Sequence, residues 1–314
     1  MRSRFRSLVV VVPLGVALLA SACSLASASG SSGSSGSGAG TIVAVGAENE
    51  YASVLAQVGG KYVQVSAIMS NPATDPHTFE ASASVARLVG AAQLVVQNGV
   101  GYDRFMNTIE NAAPSSSRKV IVVQDVLGLP DSTPNPHLWY KPGTMPAVAN
   151  AIAADLAALQ PAHGSYFKAN AAAFTGSLAA WDNAIAAFKA KYANTPVATT
   201  EPVADYMLQA AGANNLTPFT FQLGIMNGTD PSAQNVALER SLFTQHKVKV
   251  FLYNQQVTNS LTESFITLAH ANGIPVVGVY ETMPVPGFDY QSWMLAEVRA
   301  LQKAVTSKVS TEHL

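Results

Sequence analysis

Gln93-Leu94-Val95-Val96-Gln97-Asn98-Gly99-Val100-Gly101 reads as a strand running into a loop with two glycines. Its apolar centre lacks polar alternation, as expected of a strand covered on both faces in a parallel sheet. A helix-like run at 103–111 follows, then the β-branched run 119–124 (KVIVVQ). Working back towards the N-terminus, 85–92 is a short helix and 62–69 a strand. Before them come a helix at 48–58, closed by Gly59-Gly60, and a strand at 41–46 (TIVAVG). Strand and helix alternate, which predicts an α/β unit.

The pattern changes after residue 143. Residues 144–160 predict one helix, broken at Pro161, and 163–192 predict a second. In the second run Phe167, Phe174, Leu178, Trp181, Ile185 and Phe188 recur at spacings of three, four or seven. One helix of that length would measure roughly 45 Å at 1.5 Å per residue, long enough to run the height of two lobes. Two shorter helices kinked near Gly176 are the alternative. After Pro196 the alternation returns: strands at 197–200, 248–253 and 275–280, and helices at 202–211, 233–245, 258–271 and 290–308. The expected fold is α/β, with two lobes each carrying a small, mostly parallel sheet flanked by helices, joined by a long backbone helix. The expected bounds are 41–162, 163–193 and 194–314.

The 314 residues are 48% hydrophobic and 12% charged, a composition with material for a large core. The N-terminus has Arg2, Arg4 and Arg6, an apolar run over 8–20, then Ala20-Ser21-Ala22 before Cys23. That is the layout of a signal peptide over 1–22, too short for a comfortable membrane span. Its removal changes the formal net charge from −1 to −4. A basic surface for nucleic acid is therefore not expected. Cys23 is the single cysteine, so a disulfide within the chain and a cysteine zinc cage are both excluded. Residues 24–40 are almost all Ser, Gly and Ala, a flexible tether reaching roughly 20–25 Å.

Two histidines follow prolines on loops past strands, in Asp75-Pro76-His77 and Asn135-Pro136-His137-Leu138-Trp139. Proline stiffens each approach. Glu201 follows the strand at 197–200, and Glu281 follows the one at 275–280. Strand ends of a parallel sheet face one side, where ligands bind. Two neutral imidazoles and two carboxylates would carry −2, suited to a divalent ion. Nitrogen plus oxygen donors suit manganese, iron or zinc. Each of these residues also has a plain structural reading: a turn for the histidines, a helix start for Glu201, a surface loop for Glu281. His163, His246, His270 and His313 are assigned to solvated faces or the tail, and Asp75 and Glu80 to loop and helix-start roles.

With these motifs the chain from about residue 41 onward resembles the metal-binding lipoproteins of bacterial zinc and manganese ABC transporters. Asn98-Gly99-Val100-Gly101 and Thr200-Glu201 add to the likeness. The resemblance implies that His77, His137, Glu201 and Glu281 are the metal ligands and that Cys23 is acylated. It implies a receptor at the outer face of the cytoplasmic membrane, handing manganese or zinc to an ABC permease with a separate ATPase, and working as a monomer. No P-loop occurs here, so the ATPase is another chain. Zinc members commonly have a third histidine where Glu201 stands, and the fourth ligand is usually Asp rather than Glu281. Oxygen in place of nitrogen favours the harder manganese; affinity order favours zinc. A metal-dependent hydrolase built on the same four residues, and a surface lipoprotein with a structural metal, are the competing readings. Neither H-E-x-x-H nor a dinuclear His-Asp pattern is present for the former.

Overall fold

The computed structural model describes residues 40–73, 76–284 and 286–314. The expected signal peptide, Cys23, nearly all of the tether and Asp75 lie outside the described residues. Residues 39–314 form one unit.

The first sheet is entirely parallel, in the order β2-β1-β3-β4: β1 (Ile42–Glu48), β2 (Val63–Met69), β3 (Leu94–Gln97) and β4 (Lys119–Val122). Central β1 and β3 are buried almost throughout, which is why their sequences lack polar alternation up to their last residues, Glu48 and Gln97. The edge strands β2 and β4 carry exposed Gln64 and Lys119, side chains that discourage further pairing. Between the strands run α1 (Asn49–Gly59), α2 (Ala83–Ala91) and α3 (Arg104–Ala112). After β4 come the single turn α4 (Val123–Val126) and α5 (Thr144–Leu159).

The stretch expected as one helix over 163–192 is two, α6 (Gly164–Ser177) and α7 (Ala179–Tyr192). They meet at Leu178, two residues past Gly176, where the backbone stays right-handed at φ −75°, ψ −10°. The Leu178 N–H reaches back only to Thr175 O, at 3.2 Å, instead of a full α-turn. Ser177 donates its hydroxyl to Phe174 O at 2.6 Å, and such back-bonding bends helices. A weak helix former at Gly176 adds to the break.

The second sheet repeats the topology in the order β6-β5-β7-β8, again all parallel. Its strands are β5 (Pro196–Thr199), β6 (Asn214–Asn215), β7 (Val250–Asn254) and β8 (Val276–Val279). Its helices are α8 (Asp205–Ala210), α9 (Phe219–Met226), α10 (Ala233–Thr244), α11 (Ser260–Ala271) and α12 (Tyr290–Ser307). α8 starts at Asp205, not at Pro202, because 201–204 form turns instead of a first helical turn. Side-chain caps from Ser232, Asn259 and Asp289 start α10, α11 and α12.

In each sheet the chain leaves the first strand for one neighbour and returns on its other side. That creates a crevice at the strand C-termini between β1 and β3, and another between β5 and β7. One hydrophobic cluster runs from Val54 and Leu94 through Phe174 and Trp181 to Val250 and Trp293. Both sheets thus share a core. Trp181 meets Tyr290 edge-on with ring centres 6.2 Å apart, tying α7 to α12.

Candidate metal centre

Each group at the centre comes from a loop or short turn downstream of a strand. β2 leads to the 3-10 turn Pro76–Thr78, which presents His77. The loop after α4 presents His137, immediately before the 3-10 turn Leu138–Tyr140. Leu138, Trp139 and Tyr140 are fully buried and anchor that turn. β5 ends one residue before Thr200-Glu201, and β8 two residues before Glu281. His137, Glu201 and Glu281 are buried, and the His77 side chain retains 19% exposure.

His77 Nε2 lies 3.1 Å from Glu281 Oε2, and His137 Nε2 lies 3.3 Å from the same oxygen. His77, His137 and Glu281 offer ligand atoms all within 4.8 Å of one another. Glu201 stands at the margin of this group, with Oε2 3.8 Å from His77 Nε2. The four residues therefore meet from both sheets.

The surroundings orient these donors. Asn135 Oδ1 lies 2.8 Å from His137 Nδ1 and accepts the His137 backbone N–H at 3.0 Å. A proton placed on Nδ1 by this partner leaves Nε2 its lone pair for an ion. Asn135 in turn donates to Pro202 O, beside Glu201. Asn254 Nδ2 donates to both carboxylates, at 3.1 Å to Glu201 Oε1 and 2.6 Å to Glu281 Oε1. Tyr102 donates its hydroxyl to Glu281 Oε2 at 2.9 Å. Gln256 Oε1 accepts the backbone N–H of Glu281 and of Thr282, fixing that turn. Asn49 clasps Met283 from the other sheet, donating to its O and accepting from its N, both at 2.8 Å.

Burial alone would raise the pKa of Glu281, but the His77 charge and the His137 hydrogen bond hold it below the usual carboxylate range. Burial pushes His137 down from 6.5, against the pull of Glu281. An anionic carboxylate beside a neutral imidazole is the state a cation needs. Behind them, burial raises Glu48 and Glu50 well above the normal carboxylate range, with neighbouring acids adding to the shift.

Sequence reasoning passed over Tyr102, Asn135, Asn254 and Gln256. Asn254 carried a signal: it follows the run VKVFLY in the way that Glu201 and Glu281 follow theirs. Tyr102 follows three consecutive left-handed residues, Gly99, Val100 and Gly101, at φ 80°, 53° and 74°. A Cβ at Gly99 would meet the Gln124 side chain at 2.8 Å, so glycine is required there. A 390 Å³ cleft lined by His77, Tyr102, Arg104, Met226 and Val257 opens onto the centre.

Residues 45–304 match the model of the ZnuA family, described as zinc-uptake complex component A, periplasmic. The chain belongs to this family. It is accordingly a periplasmic metal-binding receptor of the ABC-transport type, whose ligand is a divalent transition metal. Such receptors work with a membrane permease and its ATPase and are not an enzyme family. A crystal structure of ZnuA superposes with a TM-score of 0.69 at 20% identity, covering 85% of this chain and 100% of that one. The periplasmic zinc-binding protein TroA from Treponema pallidum gives 0.69 at 18% identity, covering 82% and 99%. FpvC from Pseudomonas aeruginosa, in complex with Mn2+, gives 0.68 at 21% identity, covering 86% and 99%. At these identities the likeness speaks for the fold. No curated protein sequence matches this chain. Among the described residues of this ZnuA-family chain, no helix is long and apolar enough to cross a membrane.

Proposed function

We propose that His77, His137, Glu201 and Glu281 are the ligands that capture zinc or manganese for delivery to the permease. The observation that supports this reading is the convergence of two imidazole Nε2 atoms on Glu281 Oε2, at 3.1 and 3.3 Å, with Glu201 Oε2 alongside. Burial keeps His137 neutral, and the donors around both carboxylates hold them in place. The ion enters past His77, the one ligand that lines the open cleft. Lobe movement during release is small, because one hydrophobic cluster spans both sheets. The protein acts as a monomer and has no turnover of its own. It is exported by residues 1–22, acylated at Cys23 and tethered by residues 23–40, with 41–162 and 194–314 as its lobes and 163–193 between them.

The test is a competition titration of the chelator-stripped protein with zinc and manganese, with thermal unfolding followed in parallel. One tight site on a folded apo protein, with a midpoint raised by the ion, is expected. His77→Ala should abolish the tight site; an unchanged affinity in that variant would remove the ligand assignment. Mass spectrometry of the membrane fraction tests acylation, since Cys23→Ser should release the protein into the soluble fraction.

A further inference from the structure

The two carboxylates of the centre are presented asymmetrically. On the histidine side, Glu281 Oε2 lies 3.1 and 3.3 Å from the two imidazole Nε2 atoms, and Glu201 Oε2 lies 3.8 Å from that of His77. On the far side, Oε1 of each carboxylate accepts a hydrogen bond from the same amide nitrogen, Asn254 Nδ2. One NH2 group has two protons, and here each serves one glutamate. Asn254 is itself immobile. It is fully buried at the end of β7, its Oδ1 accepts the Gln256 N–H at 3.0 Å, and its own N–H donates to Thr200 Oγ1 at 3.0 Å.

We propose that Asn254, by holding Oε1 of both Glu201 and Glu281, makes each carboxylate a single-oxygen donor and so fits the site to a four-coordinate ion, zinc, in preference to manganese. This rests on the ligand reading given above. Four donor atoms, two nitrogen and two oxygen, suit the tetrahedral habit of zinc. Manganese prefers six ligands. To gain two more from the protein it would have to turn both Oε1 atoms inward, which breaks both Asn254 hydrogen bonds. Such bonds to a buried charge are among the stronger ones. Tyr102 acts in the same sense, because its bond to Glu281 Oε2 opposes rotation of that carboxylate. The clamp therefore works against the preference for a harder ion that the oxygen-rich donor set would otherwise confer. Asn254 is a positioning residue in this scheme, since its amide acts on the ion only through the two glutamates.

Two measurements test it. In the wild-type protein, cobalt(II) loaded at one equivalent should give the intense visible absorption of four-coordinate cobalt; a weak six-coordinate spectrum would overturn the proposal without any variant. In Asn254→Ala, checked for folding by circular dichroism, the ratio of zinc to manganese affinity should narrow by about tenfold, the scale of losing a hydrogen bond to a charged group. The cobalt absorption should weaken as the coordination number rises. A folded variant whose ratio stays within about twofold of wild type would overturn the role of Asn254. A wild-type protein that binds neither zinc, manganese nor cobalt would overturn the ligand reading itself. A normal tight site with an unaltered ratio in the variant sinks the clamp alone.

Discussion

Asn135 illustrates how one side chain orients a proposed ligand, His137. Its Oδ1 sits 2.8 Å from His137 Nδ1, and its Nδ2 bonds Pro202 O in the other half of the chain. Loss of such an orienting partner typically costs 10–100-fold in metal affinity. Asn135→Ala should therefore weaken zinc binding by about that factor while leaving one site per chain; an unchanged affinity would mean that the 137 loop alone orients the ring. Protons compete for the same lone pair. Burial lowers the pKa of His137, so the neutral ring is favoured at neutral pH and charging begins only below the ordinary value of 6.5. Glu281 stays ionised throughout that range, being held below the usual carboxylate range. Zinc affinity is expected to fall as pH drops below the ordinary histidine value of 6.5 and the imidazoles take up protons. Titrations across this window check it, and an affinity undiminished at pH 5 would contradict it.

At the scale of elements, β8 carries the constraint that matters most for Glu281. The tail pairs with it, with Gly278 donating to Thr311 O at 2.8 Å and Thr311 donating to Val276 O at 2.9 Å. A Cβ on Gly278 would fall 1.9 Å from Glu312 O, a backbone atom that has no flexible end to swing away. Gly278→Ala should destabilise the fold by about 1–3 kcal/mol, as overpacking does. It should also weaken metal binding, because Glu281 lies three residues further on. Chemical denaturation and titration read the two effects separately. Elements also mark where pattern reading stopped. β6 is Asn214-Asn215, two polar residues with no apolar run to reveal them; pairing with Pro196 and Val197 makes them a strand. α9 (FTFQLGIM) has aromatic, β-branched and glycine residues that depress helix propensity, and burial of Phe221 and Ile225 holds it.

Across the whole molecule, the shared core predicts how the protein melts. Since one cluster links both sheets through Phe174 and Trp181, calorimetry of the apo protein should show a single transition. Two resolved transitions would mean that the halves are energetically independent. A buried acid at this junction is one of the groups expected to limit stability towards alkaline pH. Burial pushes Glu297 up to about 8, although Trp293 and Tyr140 donate hydrogen bonds to it. Its folded pKa lies above the unfolded value of 4.5, so its contribution is fully present below about 4.5, falls progressively as pH rises from there, and is gone once pH passes about 8. Glu297→Gln keeps the acceptor oxygen and cannot ionise, so its melting temperature should fall less than that of wild type as pH rises from about 5 to about 8. Parallel declines in the two proteins would show that Glu297 does not set this limit.

The alternation of β-branched runs with amphipathic ones was enough to imply two parallel sheets, because a strand buried on both faces must be apolar throughout. The rule that ligands gather past the C-termini of such strands singled out His77, His137, Glu201 and Glu281 for the same reason. The tertiary structure alone decided how they meet. Residues separated by 144 and 204 positions, His137–Glu281 and His77–Glu281, come within about 3 Å only because the two crevices face each other. It alone also divided the long helix at Leu178, where Ser177 diverts a carbonyl, and placed Asn254 between two glutamates. Periodicity reports which side of an element is buried, whereas the partner of a polar side chain depends on distances that only the packed chain defines.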